Sequence, residues 1–240
     1  MYPCLAAIID LFTSKLGEER GKGMEAKALD RWRMATYNAY RWRHELSLPN
    51  KIILALGMAC VIGLAAQIRI LLPWTPVPIT GQTFAVLLAG VLLGRWWGGA
   101  SVAAYAGLGA AGVPWFTGWS GGIGHLAGPT GGYIIGFFLA ALFVGHFTDK
   151  YIRARSFLPM LGILLFANFV LIYIPGLLQL HLWLNLAGGG SASFYHVLTL
   201  GFFPFIAGDL IKTFIVAGIA AGVTPKKAYD GEVDRSIRTG

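Results

Sequence analysis

Charge is what this chain has least of. Only 12% of its 240 residues are Asp, Glu, Lys or Arg, where a soluble domain carries about 25%. With 56% apolar residues and a mean hydropathy of +0.63, that scarcity excludes an ordinary soluble domain and indicates an integral membrane protein. Cysteine is also scarce. Cys4 and Cys60 are far apart, and Cys60 sits in an apolar run, so neither a disulfide framework nor a metal site is expected. A Walker-type phosphate loop, a nucleophile elbow and paired catalytic carboxylates are all missing. The chain is therefore not expected to hydrolyse ATP itself, to act as an enzyme or to need a cofactor.

The charges that are present are unevenly placed. On a soluble protein, a net charge of +8 would suggest nucleic acid; here position matters more than sum, and no nucleic-acid partner is expected. Nine of the nineteen Lys/Arg lie between Lys15 and Lys51. Arg95 follows the second apolar run, and Lys150, Arg153 and Arg155 follow the fourth. Lys226, Lys227, Arg235 and Arg238 lie in the tail. The connections 73–79, 113–129 and 181–196 contain no Lys or Arg. This alternation follows the positive-inside rule. Apolar runs at 51–72, 79–93, 98–112, 131–147, 157–180 and 197–221 predict an all-α membrane protein of six transmembrane helices with both termini cytoplasmic. The expected organisation is a basic, partly amphipathic arm over 1–50, a transmembrane domain over 51–222 and a basic tail over 223–240. The apolar stretch 1–12 lacks a basic n-region and a small-residue cleavage site, so it reads poorly as a signal peptide.

Within the arm, Leu29, Trp32, Ala35, Ala39, Trp42 and Leu46 recur at helical spacing, with Lys27, Arg31, Arg33, Arg41 and Arg43 interleaved. The pattern fits an interfacial helix on an anionic leaflet; the alternative is a solvated tail without fixed structure. In the first span Ala55 and Ala59 lie four apart, a spacing that admits a second helix. The two short runs after it meet at Gly94-Arg95-Trp96-Trp97. Short, interrupted apolar segments often mark a ligand site, because they expose backbone that must line a cavity. Eleven of the thirty residues at 107–136 are glycine, yet this stretch also holds Trp115, Phe116, Trp119, Ile123 and Leu126 and no charge. It reads as a folded loop packed on a membrane-embedded site, against the alternative of a mobile loop.

Asp209 is the only acidic residue inside a predicted span, and Lys212 the only basic residue deep inside one. Three residues apart, they share a helix face. An isolated charge there costs about 2.5–3.5 kcal/mol on insertion scales, which argues for a function; the alternative is a salt bridge that only makes the helix tolerable. Thr130 and Tyr133 flank a loop-to-helix junction whose free N–H groups are available. Thr80 and Gln82 can bond a neutral polar ligand or cap a helix. His125, His181 and His196 match no metal spacing and read as satisfied or surface histidines. Arg69 reads as a side chain that snorkels to the interface, with a ligand carboxylate as the other possibility.

Four stretches resemble the BioY family, the biotin-binding S components of energy-coupling factor transporters. They are Thr75-Pro-Val-Pro-Ile-Thr-Gly-Gln-Thr-Phe-Ala-Val-Leu-Leu-Ala-Gly90, Gly107-Leu-Gly-Ala-Ala-Gly-Val-Pro114, Gly128-Pro-Thr-Gly-Gly-Tyr-Ile-Ile-Gly-Phe137 and Gly208-Asp-Leu-Ile-Lys212. The resemblance spans about 51–221 and says nothing about 1–45. It implies a six-helix S-component bundle that binds biotin near its outer face in a prokaryotic cell membrane. It also implies that Asp209 and Lys212 match an Asp-x-x-Lys that contacts the ureido ring. Ala55 and Ala59 match an Ala-x-x-x-Ala that docks on a transmembrane coupling subunit, which carries two ATPases. Gly81 and Arg69 depart from the family, where Leu and a small or polar residue are expected. Two rivals remain at this level: an S component for thiamine or riboflavin, and an intramembrane enzyme using Asp209 as base. A cationic vitamin would want acids and aromatic faces, and the enzyme would need a second polar group beside Asp209, for which Asn168 is the candidate.

Overall fold

A computed structural model describes residues 27–187, 192–229 and 231–234. The stretch 1–12, Cys4, the basic residues Lys15, Arg20 and Lys22, part of the 181–196 connection, and Arg235 and Arg238 lie outside the described residues. The described residues are almost wholly helical. Residues 27–45 form α1, followed by α2 (Leu48–Gln67), the two-residue strands β1 (Arg69–Ile70) and β2 (Ile79–Thr80), and α3 (Gln82–Ala110). Then come the single turn α4 (Ile123–Leu126), α5 (Gly131–Lys150), α6 (Phe157–Phe166), a π turn (Ala167–Ile172) running into α7 (Tyr173–Ala187), α8 (Phe194–Gly201) and α9 (Ile206–Val223). Among the described residues, five helical stretches are long and apolar enough to cross a membrane.

Arm residues 27–45 are helical rather than unstructured, and a break at 46–47 separates them from α2. Pro49 sits in the first turn of α2, where its missing N–H costs nothing. That helix stops five residues short of the expected 72. Ile68 is extended (φ −75°, ψ 92°), because Arg69 and Ile70 pair antiparallel with Thr80 and Ile79. Gly81 N–H donates to the carbonyls of Ala65 and Ile68 at 3.1 and 3.0 Å, which closes the end of α2.

The two short runs after β2 are joined in α3, which breaks only at Gly94 (φ 76°, ψ −171°). The break folds the helix back on itself. Gln82 Nε2 donates to Tyr105 Oη at 2.7 Å, although 23 residues of straight helix would separate them by about 35 Å. Asp149, at the end of α5, accepts from Arg95 N–H at 2.9 Å, satisfying a free donor at the start of the second arm.

α8 and α9 differ from the continuous sixth span that the sequence suggested. The chain leaves helical geometry at Phe202 (φ −130°, ψ −63°) and takes a 3-10 turn over Phe203–Phe205. Pro204 lacks a donor and cannot continue a helix. Two of the carbonyls near the break are recovered by side chains: Thr75 Oγ1 donates to Leu200 at 2.6 Å and Tyr133 Oη to Gly201 at 2.8 Å.

Ile62, Val86, Leu87, Tyr105, Met160 and Leu164 are fully buried between the helices. Ile53, Leu64, Leu158, Ile211 and Phe214 point outward and are exposed, the inside-out surface expected of a bundle in lipid. Ala55 and Ala59 belong to the inner set, at 4% and 0% exposure. α2 packs against α3, and these two small side chains are enclosed within the chain itself.

At the arginine-rich end of the bundle, Arg155 is wholly buried, with Glu232 at 2.9 Å. Its guanidinium also donates to Tyr40 Oη at 2.7 Å, Thr148 O at 2.9 Å and Pro225 O at 3.2 Å. Burial pushes the Tyr40 phenol up to about 12, although Arg155 and Arg43 pull the other way. Arg43 reaches Asp149 at 2.6 Å and Leu92 O at 2.8 Å, and Trp32 Nε1 reaches Gly222 O at 3.1 Å. α1 thus crosses the ends of α9, α5 and the first arm of α3. Trp32 and Trp42 are each 56% exposed.

Candidate functional site

A cavity opens between the glycine-rich loop and the bundle, enclosing about 560 Å³ of empty space with the solvent at its mouth included. Asp209 and Lys212 on α9, Thr130 and Tyr133 at the start of α5, and Gln82 on α3 all line it. The five residues come from three helices and a span of more than a hundred residues, and the fold brings them to one place. Val77, Ile134, Phe137, Ile172 and Phe205 form its apolar walls.

The floor is built around the Asp209 carboxylate. Lys212 Nζ donates to Oδ1 at 2.9 Å. Tyr173 Oη donates to Oδ2 at 2.6 Å and Asn168 Nδ2 to the same oxygen at 3.3 Å. The Lys212 side chain is 19% exposed and that of Asp209 6%, so the ammonium keeps an open side while the carboxylate is largely enclosed. Asn168 and Tyr173 are five residues apart. On an α-helix they would point about 140° away from each other. The π turn between them closes its ring at i+5 and aligns the two donors on one oxygen. Tyr173 is the functional side chain that sequence reading missed. Its signal would have been a π turn, which leaves no mark in hydrophobic periodicity. Asn168 Oδ1 remains a buried acceptor without a partner among the described residues.

The other expected site residues have more committed side chains. Gln82 is 5% exposed; its Oε1 accepts from Thr80 Oγ1 at 3.2 Å and Thr117 Oγ1 at 3.4 Å. Its amide and Thr80 therefore stiffen the cavity wall. Tyr133 presents its ring, since its hydroxyl is used on Gly201. Thr130 Oγ1 lies 3.3 Å from His125 Nε2, and Ser120 Oγ 3.0 Å from His125 Nδ1. His125 stacks on the buried Phe116 ring at 4.8 Å, and burial lowers its pKa from the usual 6.5. It is a satisfied histidine, as expected, but also part of the cavity lining. The loop is folded: Phe116 is fully buried and Gln67 Nε2 holds the Trp115 and Phe116 carbonyls at 3.1 Å each. Among the described residues, no three His, Cys, Asp or Glu are grouped to hold a metal.

Chemically, the site offers an enclosed acceptor beside a half-open cationic donor, at the end of an apolar slot. That combination suits a neutral group with both N–H and C=O, held by charge-assisted bonds. The three donors around Asp209 fix the carboxylate in place through both of its oxygens.

The fold is similar to a crystal structure of the S-component for biotin from an ECF-type ABC transporter, with a TM-score of 0.64 and 26% identity. The similarity covers 73% of this chain and 93% of that one. A helical membrane bundle with a mostly apolar pocket under a loop thus belongs to the class of S-components. The sequence profile of the BioY family matches residues 36–228, and the chain belongs to the BioY family. The match begins earlier than the motifs alone suggested and takes in Tyr40 and Arg43. A probable biotin transporter BioY of Methanothermobacter thermautotrophicus is 51% identical over 147 residues, 61% of this chain and 94% of that protein. The biotin transporters BioY of Thermotoga maritima and Rhodobacter capsulatus are 37% and 34% identical, covering 62% and 67% of this chain and 82% and 89% of theirs.

Proposed function

We propose that this chain is the biotin-binding membrane subunit of an uptake system, that biotin occupies the cavity at Asp209, and that an energy-coupling factor module drives its release. The observation that carries the reading is the Asp209–Lys212 pair at 2.9 Å on the floor of an apolar slot, in a chain whose relatives are biotin transporters. A cyclic urea has two N–H donors flanking one carbonyl. A carboxylate only accepts and an ammonium only donates, so the pair offers both partners the ring requires. The two arms of α3, folded back at Gly94, count as two short crossings and bring the total to six. Both termini then fall on one side, with the basic residues of α1, Arg95, Lys150 and the tail, and the positive-inside rule makes that side cytoplasmic. The host is then the cytoplasmic membrane of a prokaryote. The chain has no phosphate loop, so ATP hydrolysis falls to partners: a transmembrane coupling subunit and two ATPases. α1, with Arg31, Arg33 and Trp42 exposed, lies along the inner leaflet.

Equilibrium binding of labelled biotin to the purified protein, with thiamine and riboflavin as competitors, tests the reading. Unlabelled biotin should displace the label and the other two vitamins should not. Displacement by either at comparable concentration would assign the pocket to a different vitamin.

A further inference from the structure

The loop end of the bundle carries a cation with no counter-charge. From residue 46 to residue 148 the sequence has no Asp or Glu, and Arg69 lies inside that interval. Among the described residues its guanidinium has no hydrogen-bond or ion-pair partner. Its position is nevertheless fixed at both ends. The backbone of Arg69 pairs with Thr80 in β1–β2, next to Gln82 in the cavity wall. The guanidinium lies over Gly118, whose φ is +79°; a Cβ built there falls 3.0 Å from Arg69 Cζ and closer still to Nη1. Only glycine leaves that space free, so the loop makes room for the arginine head.

The guanidinium borders a second hollow, lined also by Leu71, Pro76 and Pro129. This hollow shares Pro78, Thr117, His125 and Thr130 with the Asp209 cavity, so the two adjoin. No other Lys, Arg, Asp or Glu lines the second hollow, and His125 is kept neutral by burial. The two adjoining hollows therefore carry charge at opposite ends: an Asp/Lys pair at the floor of the first and an unpaired guanidinium in the lining of the second. A guanidinium presents a planar fork of donors that matches a carboxylate in bidentate geometry.

We propose that Arg69 is the carboxylate-recognition residue of the site, so that the bound molecule spans from Asp209 and Lys212 to Arg69 and carries an anionic end at the mouth. This rests on the proposed biotin reading, and gives the valerate carboxylate a partner within the chain. A snorkelling arginine, paired with lipid phosphate, would not discriminate between a carboxylate ligand and its uncharged amide.

The experiment compares biotin with biotinamide, which keeps ring and chain and loses the charge. Affinities are measured on detergent-purified wild type, Arg69→Gln and Arg69→Lys, beside ligand-free melting. Wild type should prefer biotin at least tenfold. Arg69→Gln should lose at least tenfold in biotin affinity while binding biotinamide within about twofold of wild type, and Arg69→Lys should keep part of the preference. Equal loss for both ligands with unchanged melting, or no loss for either, overturns the proposal. If Arg69→Gln melts early, Arg69→Lys decides: an intermediate preference supports the carboxylate contact, and an unchanged or absent one overturns it. Failure of wild type to bind both ligands would overturn the biotin reading itself, and this inference with it. Binding of both by wild type without preference overturns the inference alone.

Discussion

Asp209 is held by three donors from two helices, and that arrangement decides what a substitution there does. Asp209→Asn keeps the shape but turns one oxygen into a donor that faces Tyr173, Asn168 or Lys212. Lys212→Ala leaves a carboxylate of 6% exposure without its cation, and unpairing a buried charge is costly. Each substitution should weaken biotin binding at least a hundredfold, about 2.7 kcal/mol. Lys212→Arg should not rescue, since a planar fork does not replace a compact ammonium. Tyr173→Phe removes a donor to a charged carboxylate and should cost about 1.5–3 kcal/mol, a loss of roughly ten- to a hundredfold. Calorimetry beside ligand-free melting separates the roles. A collapse in melting with affinity preserved would make the cluster a structural salt bridge and not a ligand site.

Two helix irregularities build the site. The π turn Ala167–Ile172 turns Asn168 and Tyr173 toward the same oxygen. The break at Gly94 folds α3 so that Gln82 meets Tyr105 in the cavity wall. Gly94 has a positive φ, and a Cβ there would fall 2.8 Å from Asp149 Cγ and nearer to both carboxylate oxygens. Gly94→Ala therefore strains the backbone, by about 1–3 kcal/mol, and pushes Asp149 off Arg43 and the Arg95 N–H. The expected result is a lowered ligand-free melting temperature. Biotin affinity should be retained where the fold survives, because the break lies at the far end of the first arm of α3 from Gln82. Melting equal to wild type would mean that the hairpin tolerates a side chain at its turn.

On the scale of the whole molecule, the arginine-rich end is closed by both terminal segments. Tyr40 from α1 and Glu232 from the tail meet on Arg155, and Asp234 accepts from the Ile152 and Arg153 N–H groups at 2.7 and 2.9 Å. Arg155 and Glu232 are both fully buried, so removing one leaves the other charged and enclosed. Glu232→Ala should destabilise the protein by about 3–5 kcal/mol, read by thermal unfolding, and make the tail accessible to protease. Biotin affinity of the folded fraction should not change, because none of these residues lines the cavity. A neutral effect on melting would show that the tail detaches without consequence. The same network explains why Arg155, one of the basic residues that follow the fourth apolar run, is not a surface residue.

Much of this protein follows from sequence alone. The scarcity of charge, the long continuous apolar runs and the one-sided distribution of Lys and Arg point to a helical membrane bundle, because a helix satisfies its backbone hydrogen bonds within each run. The motifs at Thr75, Gly107, Gly128 and Gly208 carry the family. Asp209 and Lys212 stand out because charge inside a span is expensive. Contacts between distant segments decided the rest. The spacing of Ala55 and Ala59 admits a second helix, but their burial at 4% and 0% exposure appears only in the folded chain. α2 ends at Gln67 because β1 meets β2, ten residues further along the chain. Tyr173 joins Asp209 only through a π turn, and Arg69 gains its meaning from the hollow it borders. These are choices among arrangements that local sequence leaves nearly equal in energy, and only packing between helices far apart in the chain separates them.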